Sequence, residues 1–313
     1  MQRLKNKQVY LAPKNNLTLM IKKIFLENDL DLKGFIDNYK TDKDVIKKEK
    51  FNDDEIVVIF SPNYWSEISN NLNCKNIFVL NHKDNNLILE DFREFKGYDL
   101  SSNSIFNTFE VQKIHWSNHL KDCSTDIENF GYEWGNPEDA NDKLGDYLSI
   151  NKKLNSIIDK DTHILEIGTL GGKWTNYMLD AKKIICVDID NFFIDFIKNR
   201  FSKYIEKFEF YVSSGNELQG IKDKSIDVIF CMDTLVRVPK EYIFDYIKEM
   251  ARVLKDDAKA IIHLPNSDIQ DCVDRDFTKL STDEIEKEFQ KYFKNFTLDS
   301  KTIVHGTLVY INC

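Results

Sequence analysis

One run of residues constrains this chain more than any other. From Asp161 it reads DTHILEIGTLGGKWTNYML and continues through KKIICVDID to Asp190. His163–Ile167 is an apolar, strand-like run, Gly168–Gly172 a glycine-bearing turn, and Trp174–Leu179 the expected start of a helix. Lys183–Val187 is a second strand, ending in Asp188-Ile189-Asp190. A glycine turn between strand and helix lets backbone N–H groups meet a ligand closely, at the positive end of the helix. An acid at the tip of the second strand, about twenty residues further on, is placed to hydrogen-bond ribose hydroxyls. The run therefore demands a parallel β-α-β unit with a ligand at its carboxyl edge.

The residues that follow keep the alternation. Asn191–Phe201 predicts a helix with Phe192, Phe193, Phe196 and Ile197 facing inward. Phe208–Val212 and Ile226–Cys231 read as strands, Lys240–Leu254 as an amphipathic helix and Ala258–His263 as a fifth strand. A helix is expected over Ser281–Phe293. Two closing strands, Phe296–Val304 and Gly306–Asn312, are joined by a tight turn at Gly306.

The N-terminal block alternates in the same way. Val9–Ala12, Gly34–Ile36, Glu55–Phe60 and Asn76–Leu80 read as strands, with helices over Leu17–Leu26 and Tyr64–Leu72, which implies a parallel sheet with crossover helices. Its first turn, Ala12-Pro13-Lys14-Asn15-Asn16, lacks the glycines that let a backbone approach pyrophosphate. The domains expected are a small Rossmann-like α/β block over 1–95, a connector over 96–150 and a larger α/β domain over 151–313. The connector has helical rhythm over Phe106–Leu120, followed by Phe130-Gly131-Tyr132-Glu133-Trp134-Gly135-Asn136-Pro137. That irregular segment is expected to pack over the site of the next domain, or else to be a linker with two anchoring aromatics.

Composition excludes several partners. The 313 residues carry a formal charge of −9. A nucleic-acid partner calls for a basic stripe, and none is visible. No apolar run approaches the roughly 18 residues of a membrane span, and Met1–Tyr10 lacks the apolar core of a signal peptide. The cysteines are scattered without a CxxC pair, so they read as reduced thiols, and a cytoplasmic location is expected.

Taken together, HILEIGTLGGKWT, IICVDID, DKSIDVIFCMDTLVRVP and EMARVLKDDAKAIIH resemble the successive motifs of class I S-adenosylmethionine (SAM)-dependent methyltransferases, over nearly all of residues 160 to 313. The resemblance implies a seven-stranded, mostly parallel Rossmann-like sheet closed by an antiparallel hairpin, with SAM as the cofactor. It places Glu166, Gly168, Thr169, Gly172 and Trp174 of the first motif, Asp188 and Ile189 of the second, Gly215 and Asn216 after the third strand and Met232 after the fourth against that cofactor. The sequence departs from the motifs at Leu170, which replaces a glycine and implies an altered loop shape, and at Asn216, Arg237 and Lys255-Asp256-Asp257. The N-terminal block is similar, through GFIDNYK and IVVIFSPN, to nucleotide-sugar-binding domains of bacterial sugar-modifying enzymes. A packing or homodimerisation role is the equal alternative.

In such a fold the acceptor lies outside the carboxyl ends of strands four and five. An alcohol acceptor needs a base, and His263, with an ordinary pKa of about 6.5, is the preferred one; a structural His capping the strand end is the equal alternative. Asp233 is a second catalytic candidate by position. Arg237, Tyr132 and Trp134 are candidate substrate contacts, whereas His115 and His119 read as surface or packing residues. A divalent metal on Asp233 with Asn266 or Asp268 is a second means of activation, but the spacing after strand five does not match and no metal ligand is assigned. The expected function is methylation of a hydroxyl on a small molecule, a sugar or nucleotide-sugar of bacterial capsule or other surface polysaccharide biosynthesis. The alternatives are another metabolite or a protein side chain as acceptor, a SAM-binding regulatory subunit without catalysis, and a nicotinamide oxidoreductase.

Overall fold

In a computed structural model the chain divides into two compact units, Met1–His115 and Trp116–Cys313. The structure describes every residue except 1, 15, 38–39, 49, 62–64, 84–85, 96–115, 117–119, 121–130, 276 and 313. Most of the helix expected over Phe106–Leu120, with His115 and His119, lies outside the described residues.

The first unit is built on strands β1 (Gln8–Ala12), β2 (Asp31–Phe35), β3 (Glu55–Ile59), β4 (Ile77–Lys83) and β5 (Asn86–Asp91), in the order β2-β1-β3-β4-β5. The first four are parallel, as the alternation predicts. β5 is an unpredicted antiparallel edge, paired to β4 from Phe78↔Asp91 to Lys83↔Asn86. Helices α1 (Asn16–Glu27) and α2 (Trp65–Asn71) provide the crossovers. Both faces are buried: Val9, Leu11, Val58 and Phe60 meet Ile21 and Phe25, while Tyr10, Val57 and Ile59 meet Ile36 and Ile77. Strands covered on both faces read as continuous apolar runs, which explains EIVVI.

The second unit holds strands β6 (His163–Ile167), β7 (Lys183–Asp188), β8 (Phe208–Val212), β9 (Ile226–Cys231), β10 (Leu254–Leu264), β11 (Phe296–Asp299) and β12 (Thr307–Ile311). Their order is β11-β12-β10-β9-β6-β7-β8, parallel from β8 to β10, with β12 antiparallel to both β10 and β11. This is the seven-stranded Rossmann-like sheet that the motifs imply. The closing strands are shorter than expected, and residues 300–306 form a loop between them instead of a tight turn.

Helix α3 (Tyr147–Ser156), capped by the Asp146 carboxylate on the Ser149 amide, was not predicted; it buries Tyr147, Ile150 and Leu154 against Ile164, Val228 and Phe230. Helix α4 (Asn191–Arg200) buries Phe193, Ile194 and Ile197, while Phe192 and Phe196 are only half-buried. Helix α5 (Lys240–Val253) buries Ile243, Ile247 and Met250. The short α6 (Gln270–Asp274) precedes α7 (Thr282–Gln290), which opens on a capping box of Ser281 and Glu284. That arrangement satisfies two otherwise orphaned amides reciprocally. Among the described residues Cys74, Cys186, Cys231 and Cys272 are free thiols, and no helix is long and apolar enough to cross a membrane.

Candidate active site

The sheet of the second unit reverses its order at β6, which lies between β7 and β9. Such a reversal opens a crevice at the carboxyl ends of the strands. Gly168 leaves β6 at φ 79° with its amide donating to Val187 O at 2.8 Å. A Cβ at Gly168 would lie 2.1 Å from Thr234 Oγ1, whose hydroxyl donates to Ile167 O at 3.0 Å. The chain can therefore turn here only as glycine. Leu170 takes φ 44°, the left-handed conformation a glycine would adopt. The turn thus keeps a glycine-like backbone at a cost of about 1–2 kcal/mol.

Asp188 fastens this turn from the tip of β7. Its Oδ2 accepts the Leu170 amide at 3.0 Å and the Thr169 hydroxyl at 3.3 Å, and its Oδ1 accepts the Ile189 amide at 2.7 Å. Burial pushes its pKa up to about 6 against those bonds. Glu166, inside β6, is buried and accepts the Thr175 hydroxyl at 2.6 Å. Burial pushes it up to about 8. The helix expected from Trp174 is only a 3₁₀ turn over Thr175–Met178. The reason is length: the chain must re-enter the sheet at Lys183, too soon after Gly172 for a full crossover helix. No helix N-terminus faces the crevice here, so the turn itself must supply the donors. Among the described residues, the Thr169 and Gly171 amides donate to no protein acceptor.

The other positions singled out from sequence are distributed as follows. Trp174 is turned into the core, 4% exposed, against Phe230 and Tyr147, and its Nε1 has no partner among the described residues. Gly215 donates its amide to Ser213 Oγ at 3.0 Å, and Asn216 reaches Asp245 on α5 at 3.0 Å. Met232 is buried just past the end of β9, and Ile189 is half-buried and packs, as Leu170 does, against the cluster of Leu120 and Phe193. Arg237 donates to Arg275 O at 2.8 Å and lies over the Phe277 ring. The Tyr132 hydroxyl pairs with that of Tyr177 at 2.8 Å, and Trp134 sets its ring edge-on to Trp116. Lys173, within the turn region, donates to Trp134 O and Gly135 O at 3.2 Å each, so the aromatic segment is tied to the glycine turn.

Beside the turn, two residues past the end of β9, stands Asp233, a non-glycine residue at φ 59°. Its Oδ1 lies 3.0 Å from His263 Nδ1 and 3.0 Å from His305 Nε2. Lys173 Nζ stands 3.6 Å from Oδ2, and the Tyr147 hydroxyl is 3.5 Å from Oδ2 and 3.3 Å from His305 Nε2. Burial would raise the Asp233 carboxyl, but its imidazole partners and Lys173 outweigh it and hold the group well below the usual carboxylate range. Burial lowers His263 and raises Tyr147 well above an ordinary phenol, so Tyr147 keeps its proton. The preferred base is thus placed unexpectedly. His263 is fully buried behind Asp233, which is 24% exposed and is the outward member of the group.

Sequence reasoning missed His305, Tyr147 and Lys173. One signal for His305 was present: a Cβ at Gly306 would come 2.0 Å from His263 Nε2, so the His305-Gly306 pair lets the chain pass the imidazole.

Residues 164–257 match the family model described as a methyltransferase domain. The second unit carries a methyltransferase domain. Its sheet has the strand order expected of the class I fold, for which S-adenosylmethionine is the methyl donor. No curated protein sequence matches the chain. Solved structures similar to it include a SAM-dependent methyltransferase from Aquifex aeolicus (TM-score 0.44, 16% identity, 63% of this chain and 97% of that one). Others are the PH0226 protein from Pyrococcus horikoshii (0.44, 18%, 58% and 97%) and the YcgJ protein from Bacillus subtilis (0.42, 17%, 49% and 70%).

Proposed function

We propose that this methyltransferase methylates a hydroxyl group of a small molecule, a sugar or nucleotide-sugar used in surface polysaccharide synthesis. The observation that carries the hydroxyl assignment is Asp233: an outward-facing carboxylate just past the end of β9, backed by two imidazoles and joined to the glycine turn through the neighbouring Thr234.

The residues at the crevice fit the cofactor. The Thr169 and Gly171 amides suit its carboxylate. Asp188, at the tip of β7 and next to the turn, suits its ribose hydroxyls, and Glu166 behind the turn suits its ammonium group through water. The bound cofactor supplies an electrophilic methyl carbon on a sulfonium. That carbon would be the point of transfer to the acceptor oxygen, and the Asp233 carboxylate would take up the hydroxyl proton. Most of the acceleration then comes from alignment. Tyr147 and Lys173 fix the Asp233 carboxylate, and the Tyr132–Gly135 segment, held by Lys173, would wall the substrate's side of the crevice.

The sugar assignment draws on the acidic charge of −9, which disfavours a nucleic-acid acceptor, and on the sequence similarity of the N-terminal block to nucleotide-sugar-binding domains. The test is a panel of nucleotide sugars incubated with isotopically labelled methyl donor and read by product mass spectrometry. A mass gain of one methyl group on oxygen is expected, with Asp233→Asn losing turnover while still binding SAM. Methylation of none of the panel would remove the sugar assignment. SAM binding without turnover on any small-molecule extract would favour a regulatory subunit.

A further inference from the structure

We propose that Asp233, His263 and His305 form a binding site for a divalent first-row transition-metal ion. Among the described residues, their donor atoms come within 4.8 Å of one another. Ligands about 2.1 Å from a common ion stand about 3.0 Å apart when they subtend a right angle there. Asp233 Oδ1 lies 3.0 Å from His263 Nδ1 and 3.0 Å from His305 Nε2.

The hydrogen-bond pattern fixes which atoms face inward. His263 Nε2 lies 3.2 Å from His305 O, a carbonyl that can only accept. Nε2 therefore carries the hydrogen, and in the neutral ring Nδ1 is an acceptor that takes the Asp233 amide at 3.3 Å and lies 3.0 Å from Asp233 Oδ1. A cation between Nδ1 and Oδ1 would bind both. An imidazole that presents one nitrogen to a carboxylate-bearing centre, while its other N–H is held by a backbone carbonyl, has the arrangement of a metal-ligating histidine. His305 adds a second imidazole: it is 4% exposed and turns Nε2 to the same Asp233 Oδ1. The left-handed backbone of Asp233 is a further observation, because strain of this kind persists where a side chain must be aimed.

Two imidazole nitrogens and one carboxylate oxygen select among ions. Magnesium and calcium take oxygen ligands; this donor set suits zinc, iron, cobalt or nickel. Lys173 stands by Oδ2, the oxygen turned away from the triad, and leaves Oδ1 to the ion. Three protein ligands leave positions open, where an acceptor hydroxyl would bind and lose its proton more readily. That use rests on the methyl-transfer reading; the site itself rests only on the three side chains.

The experiment uses the full chain, stripped with a chelator and titrated with Co²⁺. The expected result is a visible ligand-field band that saturates at one equivalent, is abolished by Zn²⁺ and is untouched by Mg²⁺. His305→Gln and Asp233→Asn should each weaken Co²⁺ binding by about tenfold or more, with SAM binding and circular dichroism retained as evidence of folding. His263→Gln is the third variant, read only where those controls hold. No saturating band would overturn the proposal, as would a band that survives both His305→Gln and Asp233→Asn in folded protein. Cobalt bound without any SAM binding would instead sink the methyltransferase reading and leave the metal site standing.

Discussion

The two sheets of this chain each reverse strand order beside their first strand, at β1 in one unit and at β6 in the other. Topology opens a crevice in both places, but the loops treat it oppositely. After β1 comes Pro13-Lys14, with no glycine. The Lys14 amide donates to Asp37 at 3.1 Å, and its ammonium group pairs with Asp42 at 2.9 Å and with Asp44. The charged groups of that crevice satisfy one another. After β6 the turn is built from glycines and a left-handed leucine, leaves amides undonated, and lies beside a carboxylate flanked by two histidines. A strand-order reversal therefore provides a place for a ligand, while loop composition decides whether its polar groups are spent internally or presented outward.

Gly168→Ala attacks this contrast most directly. A methyl group there meets Thr234 Oγ1 at 2.1 Å and requires φ 79°. We expect a loss of about 2–4 kcal/mol in folding stability together with loss of SAM binding. Gly131→Ala is the control: its φ is +88° but its nearest neighbour is 3.5 Å away, so only the conformational cost of about 1 kcal/mol applies. Urea midpoints for the two variants check this, and equal losses would mean that Thr234 yields.

Asp188→Ala should follow in size. It removes the acceptor of two loop donors and the proposed ribose contact, and we expect SAM affinity to fall about 100-fold, or about 2.7 kcal/mol. Asp37→Ala, the acid after β2 in the first unit, should leave SAM affinity within about twofold by calorimetry. If both weaken SAM alike, the contrast between the crevices fails.

What the sequence made legible was what is local. The β6–turn–β7 register, the acid at the tip of β7 and the order of the later strands follow from apolar runs and punctuating glycines, which carry their meaning over about ten residues. The Asp233 cluster is of another kind. His263 and His305 approach Asp233 across 30 and 72 positions of chain, and Tyr147 arrives on a helix that the pattern of the connector conceals. Aromatic and charged residues near 132–147 mix polar and apolar positions too closely to show a period. The 3₁₀ turn at Thr175 and the buried, rearward position of His263 also escaped, because the first depends on the distance to the next strand and the second on the packing of Gly306.

Glu166 supplies a subtler test of how the second crevice is built. Unfolded, it ionises near its ordinary 4.5; folded, burial lets it keep its proton up to about 8. Between those values folding takes up a proton, so stability is highest below 4.5 and falls as pH rises, with the loss complete above 8. The slope approaches about 1.4 kcal/mol per pH unit in mid-window as an upper limit. Glu166→Gln should flatten this part of the pH–stability curve. Because the ammonium group of SAM would favour the ionised form, binding near pH 7 should also release a fraction of a proton, seen by calorimetry in buffers of different ionisation enthalpy. Release that persists in Glu166→Gln would place the titrating group elsewhere, with Asp188, pushed up to about 6 by burial, the next candidate.

The smallest effect belongs to the first crevice. Lys14→Met removes the ammonium group held between Asp42 and Asp44, half-exposed or exposed groups whose pairing contributes little in water. SAM affinity should not change, and the thermal midpoint should move by no more than about two degrees. What the substitution should alter is the crevice itself, now lined by Asp37, Asp42 and Asp44 with Lys22, 3.8 Å from Asp44, in place of the closer Lys14. If the internal pairing is what keeps that crevice from presenting charge, the variant should gain a weak, salt-sensitive affinity for small cations such as spermidine that the parent protein lacks. Parent protein that already binds spermidine as strongly would show that pairing does not decide which crevice is open to a ligand.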